Sequence, residues 1–451
     1  MSTITFYGGV DEIGGNKFLL EDRDSKIFLD FGKNFAKEKL YFDYPYIMAR
    51  DEKHLLNLNI LPPIKGLYKN DEGTCKLDGV LVSHPHLDHY DALRFVKDDY
   101  PLFCGEETKC AIIAREFCFQ SIGKGYNIAH LTAKNGKEIF KSFNTFKAGE
   151  ECSAGNMKFK AYAVDHSVPG AYAFIIETEN GTVVYTGDFR MHGLGKEKTE
   201  TFIEKAAQAN PEILLIEGTH VSECKLESEE EVKYKVGEIT SCTKKLVLAG
   251  FATADTDRMK TFYEVAKEND RKLALSTKQA YIIDNLCKIE HLNLFSLDDP
   301  DILIFQREKR QYRQYEKDLK EKYSNIATAT AISSMQKEVI LVASLYDMNE
   351  VAEIKPDAGS SYILSQSEPF DEEMEISYEK LLNWLSYFGI PLYQAHASGH
   401  AAPHDLKYAI ENISPKIVIP IHTMRPKLFE GFVSDTDIEI MIPSEKESIE
   451  L

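Results

Sequence analysis

The length, composition and charge exclude several classes of protein. The chain has 451 residues, 43% hydrophobic and 28% charged, as expected of a globular protein with more than one domain. Its 53 basic and 72 acidic residues give a formal net charge of −19, which argues against bulk electrostatic binding to nucleic acid or to an anionic membrane. No apolar run approaches the roughly 18–20 residues of a membrane crossing, and the start MSTITFYGG lacks a signal-peptide core. We therefore predict a cytoplasmic protein without a membrane partner.

Short apolar runs bounded by glycine and polar residues predict a strand-rich first region. The runs ITFYGG, NKFLLED and KIFLDFG are the first three predicted strands. Further strands are predicted at 78–84, 157–166, 171–178 and 182–188, and at PEILLIEGT from Pro211. Helical patterns lie between them at 89–99 and 110–121. The first predicted domain covers residues 1–219.

The pattern changes after residue 220. Helices at 228–242 and 257–270 alternate with the strands KKLVLAGFA and KLALSTK, and this alternation is typical of a parallel α/β unit. From 370 the chain returns to a helix, a strand, a helix and the final strand KIVIPIH. We predict that a domain at 220–369 interrupts the first one, and that 370–451 completes the first domain.

The strongest chemical signal is the sequence HPHLDH at 84–89, directly after a predicted strand. Imidazole nitrogens and carboxylate oxygens are ligands that zinc and similar metals prefer. Because one ion does not readily accept all four side chains from so short a loop, the spacing suits two ions side by side. Further ligands are expected at strand ends, namely His166, Asp188 and His422.

These residues resemble the metallo-β-lactamase superfamily and its HxHxDH signature. The resemblance implies an α/β fold, an αββα sandwich, and two Zn²⁺ ions, with Mn²⁺ as the alternative. One ion would be held by His84, His86, His166 and Asp188, and the other by Asp88, His89, Asp188 and His422. Asp30 matches a carboxylate that orients the ligand loop without binding metal.

The insertion resembles the β-CASP domain of the nucleases in this superfamily. Glu217, His400 and His422 match the three additional motifs of those enzymes. A histidine at the third motif is typical of the RNA-processing members. RNA is therefore the implied partner.

Within that family, three segments resemble RNase J. In HASGH, His396, Ser398, Gly399 and His400 match residues that hold phosphate and the neighbouring RNA. The HSVPG stretch from His166 and the loop GGVDEIGGN at 8–16 match other RNase J segments. The chain stops soon after 445, as in shorter archaeal-type members without the bacterial C-terminal domain. A homodimer is left open.

The resemblance implies a zinc-dependent ribonuclease that uses hydroxide attack supported by two metal ions. The predicted catalytic residues are Asp88, Glu217 and His400, with His400 as the general acid charged by Glu217. We expect a 5′-to-3′ exonuclease that prefers a 5′ monophosphate and takes the 5′ end of single-stranded RNA between its domains.

Three alternatives stay open from the sequence. The first is an endonuclease that cuts RNA internally, and the second is a metallohydrolase of small esters or thioesters. The third is a catalytically silent RNA-binding protein. The segment 307–322 has seven basic and four acidic residues interleaved with tyrosines, which suits either a solvated helix face or a contact with RNA.

Overall fold

The protein forms two compact units in the computed structural model. The described residues are 1–43, 46–119, 126–132, 138–223, 227–367 and 372–451. Unit 1 consists of Met1–Met191, Gly195–Lys225 and Gly399–Leu451, and unit 2 of His192–Leu194 and Leu226–Ser398.

Unit 1 contains two seven-stranded sheets. In their order across the first sheet, the strands are β23 (Ser448–Glu450), β1 (Ser2–Phe6), β2 (Phe18–Asp22), β3 (Ser25–Leu29), β4 (Gly79–Leu81), β5 (Leu102–Gly105) and β8 (Asn144–Phe146). Those of the second are β22 (Glu439–Ile440), β21 (Ile417–Ile421), β13 (Ile213–Glu217), β12 (Gly181–Tyr185), β11 (Tyr172–Thr178), β10 (Met157–Ala163) and β9 (Glu151–Ala154). A separate ribbon pairs β6 (His130–Thr132) with β7 (Glu138–Phe140).

The two sheets of unit 1 share one apolar core. Because side chains alternate along a strand, Ile4 and Phe6 of β1 face the same layer, which also contains Phe174 and Ile176 of β11. Leu19 of β2 belongs instead to a second core on the outer side of the first sheet. A third core covers the outer side of the second sheet. The resulting layers are helices, sheet, sheet and helices.

Helices flank both sheets of unit 1. They are α1 (Phe35–Lys39), α2 (Glu52–Asn57), α3 (Leu87–Tyr90), α4 (Glu106–Cys118), α5 (Lys196–Gln208) and α13 (Pro403–Ile413). Short 3₁₀ helices span Asp91–Phe95 and Pro426–Phe432. Across the described residues of the whole chain, no helix is both long and apolar enough to cross a membrane.

Unit 2 is built on one seven-stranded sheet in which every pair of neighbouring strands is parallel. In their order across the sheet, the strands are β17 (Ile326–Ala327), β16 (Ile302–Phe305), β15 (Lys272–Ser276), β18 (Val339–Val342), β14 (Val247–Gly250), β19 (Ser361–Leu364) and β20 (Leu392–Gln394). Its helices are α6 (Glu229–Cys242), α7 (Thr256–Glu268), α8 (Thr277–Leu286), α9 (Gln314–Lys322), α10 (Ala329–Ser334), α11 (Met348–Ile354) and α12 (Glu372–Phe388). Three single 3₁₀ turns lie at Glu290–Leu292, Gln336–Glu338 and Leu345–Asp347.

The structure confirms the predicted α/β class, an αββα sandwich with an inserted α/β unit. The point at which the chain returns to unit 1 differs from the predicted residue 370, because unit 2 extends to Ser398. The physical reason is packing. Leu381 and Leu385 of α12 lie in the core of unit 2, and β20 pairs with β19 at the edge of its sheet.

Candidate metal centre

The turn at 84–89 follows β4 and includes the first residues of the short helix α3. The amide of Phe31 donates to the carbonyl of His89 at 2.8 Å, so the segment after β3 supports the turn. Gly32 packs directly against it, since a Cβ there would lie 1.6 Å from the carbonyl oxygen of Asp88. The turn thus points several donor side chains towards the interior of unit 1.

Four donor side chains converge in a first cluster, formed by His84, His86, His166 and Asp188. His86 Nδ1 lies 3.1 Å from both His84 Nε2 and His166 Nε2. Asp188 Oδ2 is 3.5 Å from His84 Nε2. The ring of His166 is oriented by the carbonyl of Gly399, which lies against its Nδ1 and leaves Nε2 to face the cluster.

A second cluster contains Asp88, His89 and His422 and adjoins the first through Asp188. His422 Nε2 lies 3.1 Å from Asp88 Oδ2, and His89 Nε2 lies 3.1 Å from Asp188 Oδ2. Asp188 therefore belongs to the first cluster and also contacts the second. All seven side chains predicted as metal ligands meet in this one region of unit 1.

The donor chemistry fits divalent cations. Burial lowers the pKa of His84 and His166 well below the ordinary value and that of His86 to about 4, so these rings are neutral donors. The 3.1 Å between the neutral ring nitrogens of His84 and His86 is close to the separation of about 3.3 Å expected for two nitrogens on one tetrahedral zinc ion. Asp188 Oδ1 is buried and has no hydrogen-bond partner among the described residues. A cation would satisfy both features.

Asp30 holds the turn at 84–89 and the residue before it in place through four contacts. It accepts hydrogen bonds from the amide and the hydroxyl of Ser83, each at 2.7 Å, and from Tyr185 Oη at 2.5 Å. Its Oδ2 lies 2.6 Å from His89 Nδ1, which directs the opposite nitrogen of His89 towards Asp188. Asp30 was expected to orient the ligand loop, whereas its contact with Tyr185 was not predicted from the sequence. The only signal for Tyr185 was its position within the strand predicted at 182–188, three residues before Asp188.

Glu217 and His400 lie beside the second cluster. The Glu217 carboxylate accepts hydrogen bonds from the amides of Thr219 and Ala401 and lies 3.4 Å from His400 Nδ1. Burial lowers the pKa of His400, but the charges of Glu217 and Asp188 outweigh it and raise that pKa to about 9. Thr219 was not predicted as a site residue, and its hydroxyl lies 2.8 Å from His422 Nδ1 and 3.1 Å from His400 Nδ1.

The HASGH segment is divided between the two units. His396 and Ser398 end unit 2, where the carbonyl of Ser398 lies 2.9 Å from His192 Nε2. Gly399 opens the last segment of unit 1, and a Cβ there would lie 2.8 Å from the ring of His166. Only a glycine allows the backbone this close to a ligand ring. The phosphate-binding roles of these residues stay predictions.

The N-terminal loop at 8–16 contacts ligands of the second cluster. The amide of Asn16 donates to the carbonyl of Asp88 at 3.1 Å, and the amide of His422 donates to the carbonyl of Gly9 at 2.7 Å. Gly14, at a φ of +81°, is in contact with the Asp88 side chain, where a Cβ would approach to 3.0 Å. This loop was recognised by resemblance alone, and the structure shows what it touches.

The basic segment at 307–322 lies in unit 2, and several of its cations are paired. Arg307 pairs with Asp347, and Lys309 lies 2.6 Å from Glu316. Lys322 lies 2.6 Å from Asp284. These pairs supply a structural reason for the positive charges, and a contact with RNA stays a prediction.

Comparisons with known proteins support the expected family. A family model described as a beta-lactamase superfamily domain matches residues 64–246. The ribonuclease J of Mycoplasma genitalium is 25% identical over 429 residues, which cover 92% of this chain and 67% of that protein. The ribonuclease J of Thermus thermophilus is 23% identical over 435 residues, with the same two coverages. The resemblance drawn from the motifs is thereby confirmed.

A solved structure supports the fold over the whole chain. The crystal structure of a protein of unknown function from Enterococcus faecalis V583 matches with a TM-score of 0.76 and covers 99% of each chain. At 23% identity this similarity supports the fold and nothing finer. Together with the buried histidine and aspartate clusters, the superfamily match indicates a divalent metal site.

Proposed function

We propose that this chain, a member of the metallo-β-lactamase superfamily, is a metal-dependent ribonuclease of the RNase J type. The observation that carries the proposal is the pair of donor clusters that adjoin at Asp188, with the Glu217–His400 pair next to them. Relatives named ribonuclease J align with 92% of the chain, which makes RNA the substrate class.

The residues have separate tasks in the proposed reaction. The first cluster would hold one Zn²⁺ and the second cluster, with Asp188, the other, and Mn²⁺ is the alternative metal. When bound, two such ions supply Lewis-acid polarisation of a phosphate and a nucleophile at neutral pH. Asp30 and Ser83 keep the 84–89 turn in place during turnover, because their hydrogen bonds are buried.

His400 is the proposed general acid for the 3′ oxygen that leaves. Its imidazolium is stabilised by Glu217, and the hydroxyl of Thr219 lies 3.1 Å from its Nδ1. Both neighbours contact Nδ1, and the side chain is 20% exposed, so it is accessible to a substrate. A charged histidine can donate a proton at neutral pH and contributes about 10²- to 10⁴-fold in comparable enzymes.

We further propose 5′-to-3′ exonuclease action with a preference for a 5′ monophosphate. Support comes from the resemblance of HASGH, in which His396, Ser398 and Gly399 would bind phosphate. The rival is an endonuclease with the same two-ion chemistry. For the exonuclease and for the endonuclease alike, we expect RNA cleavage to depend on the metal clusters. The two activities differ only in their products.

End-labelled RNA distinguishes these activities. Single-stranded RNA with a labelled 5′ monophosphate, a 5′ triphosphate or a 5′ hydroxyl is incubated with the Mn²⁺- or Zn²⁺-loaded protein. We expect a labelled mononucleotide as the first product, formed fastest from the monophosphate. Long labelled fragments from all three substrates would indicate an endonuclease. Intact RNA together with hydrolysis of small lactones or thioesters would overturn the ribonuclease assignment.

A further inference from the structure

A ring of buried polar groups lies next to the ligands His166 and Asp188 along the chain and has no part in the ligand motifs. It consists of Asp165, Arg190 and Thr199, whose exposed fractions are 4%, 0% and 0%. The amide of Asp165 donates to Thr199 Oγ1 at 2.9 Å, and that hydroxyl donates to the carbonyl of Arg190 at 3.0 Å. The amide of Arg190 returns to the carbonyl of Asp165 at 2.8 Å, which closes the ring.

The side chains reinforce the backbone ring. Arg190 Nε lies 3.4 Å from Asp165 Oδ1. Thr199 belongs to the first turn of α5, so the helix fixes the position of the bridging hydroxyl. Breaking any member leaves a buried polar group with one partner fewer, which costs about 1–3 kcal/mol. The ring is therefore a rigid connection.

The ring connects two metal ligands that the Asp30 network does not hold. Asp165 directly precedes His166, and Arg190 follows Asp188 by two residues. Asp30 contacts the turn at 83–89 instead. Unit 1 thus has one buried network for the ligands before residue 90 and a different one for the later pair.

We propose that Asp165, Arg190 and Thr199 are positioning residues that set the separation of His166 and Asp188 and thereby the affinity of the first cluster for its metal. This inference rests on the proposed metal centre. They act on the ligands through the backbone, because Asp165 directly precedes His166 and Arg190 follows Asp188 by two residues. Loss of such supporting contacts typically costs about 10- to 100-fold in metal affinity.

The test is zinc binding measured without RNA. Metal-free protein is titrated with Zn²⁺ against a chromophoric chelator, which gives two successive dissociation constants. Thr199→Val removes the bridging hydroxyl and nearly preserves volume, and Thr199→Ser restores the hydroxyl. We expect Thr199→Val to raise the dissociation constant of the zinc ion at the first cluster by about 10- to 100-fold. The same constant of Thr199→Ser should remain within about threefold of that of the unsubstituted protein. Arg190→Lys, which keeps the charge, should lie between them.

Thr243→Val is the matched control. Thr243 is a buried threonine of unit 2 whose hydroxyl bridges the carbonyl of Ile239 and the hydroxyl of Ser361, each at 2.7 Å. Its substitution should lower the melting temperature as Thr199→Val does and leave zinc affinity unchanged. Equal zinc affinities for Thr199→Val and Thr243→Val would overturn the inference, as would an equal loss in Thr199→Ser. Absence of zinc binding by the unsubstituted protein would instead overturn the proposed metal centre.

Discussion

The carboxylate of Glu217 and the partly exposed imidazole of His400 form a pair at the edge of the second metal cluster, with Oε1 3.4 Å from Nδ1. The carboxylate is fully buried and is fixed by the amides of Thr219 and Ala401. Because both oxygens are occupied by backbone donors, Glu217 is a fixed negative charge. In the metal-free protein its charge, together with that of Asp188, outweighs burial and raises the pKa of the neighbouring His400 imidazole to about 9.

The first prediction concerns RNA cleavage by variants of this pair. His400→Ala removes the proposed acid and should lower the cleavage rate by about 10²- to 10⁴-fold, with Glu217→Gln intermediate. Neither residue belongs to the proposed ligand sets, so metal content per chain should stay at the unsubstituted level. The exposed His404 supplies a matched control, since His404→Ala should cleave normally. Normal cleavage by His400→Ala would contradict the role.

The second prediction concerns the pH dependence of stability in the metal-free protein. The pKa of His400 is raised to about 9 from an ordinary value near 6.5, so folding favours its protonated form. Its stabilising contribution is fully present below pH about 6.5 and is lost as the pH rises through about 9. The melting temperature of His400→Ala should therefore lie furthest below that of the unsubstituted protein at pH 6 and approach it by pH 9.5. A difference that grows with pH would contradict this assignment.

Much of the metal centre could be predicted because its ligands follow strands in the sequence. The HPHLDH motif is local. Asp188 follows the apolar strand β12 by three residues, and His422 directly follows β21. The carboxyl ends of neighbouring parallel strands meet at one edge of a sheet, as β13 and β21 do here. Local motifs and strand ends therefore predict the candidate ligands, and the resemblance assigns them to the two ions.

The supporting contacts could not be predicted, because they join residues that only the fold brings together. Tyr185 meets Asp30 across 155 positions of sequence, and Thr199 reaches Asp165 from the next helix. The helix predicted at 89–99 is also mostly absent. Helix α3 ends at Tyr90 and a 3₁₀ helix follows to Phe95. The carbonyls of Asp88 and His89 accept hydrogen bonds from the amides of Asn16 and Phe31 instead of from a further α-helical turn.

The third prediction compares Asp30 with its newly found partner, Tyr185. Asp30→Asn replaces one of the two carboxylate oxygens that accept the hydrogen bonds of Ser83, Tyr185 and His89 by an amide NH₂, which can only donate. Zinc affinity should therefore fall by about 10- to 100-fold. Tyr185→Phe removes one hydrogen bond, should cost about 0.5–1.5 kcal/mol of unfolding free energy, and leaves the Asp30 contact with His89 intact. Its zinc affinity should change less than about tenfold.

Tyr68→Phe is the control for that comparison. Tyr68 is also fully buried and donates one hydrogen bond, to the carbonyl of Pro62 at 2.6 Å. Chemical denaturation and zinc titration of all three variants measure the two effects separately. A zinc affinity of Tyr185→Phe as low as that of Asp30→Asn would show that the hydroxyl, rather than the carboxylate, positions His89.

The fourth prediction concerns Gly14 in the N-terminal loop. Gly14 and Gly73 have similar positive φ values, +81° and +74°, so alanine at either position should cost about 1–2 kcal/mol of unfolding free energy from backbone strain. At Gly73 a Cβ meets no described atom within 4 Å, whereas at Gly14 it approaches the Asp88 carboxylate to 3.0 Å. Gly14→Ala should therefore also displace Asp88.

Zinc titration and RNA cleavage distinguish strain from displacement in these two variants. Gly14→Ala should weaken the zinc held by Asp88, His89 and His422 by about tenfold or more and lower cleavage in parallel. Gly73→Ala should match it in unfolding free energy while keeping unsubstituted zinc affinity and cleavage. Equal zinc affinities in the two variants would show that the Asp88 side chain moves aside without loss, and that the loop at 8–16 does not position the second cluster.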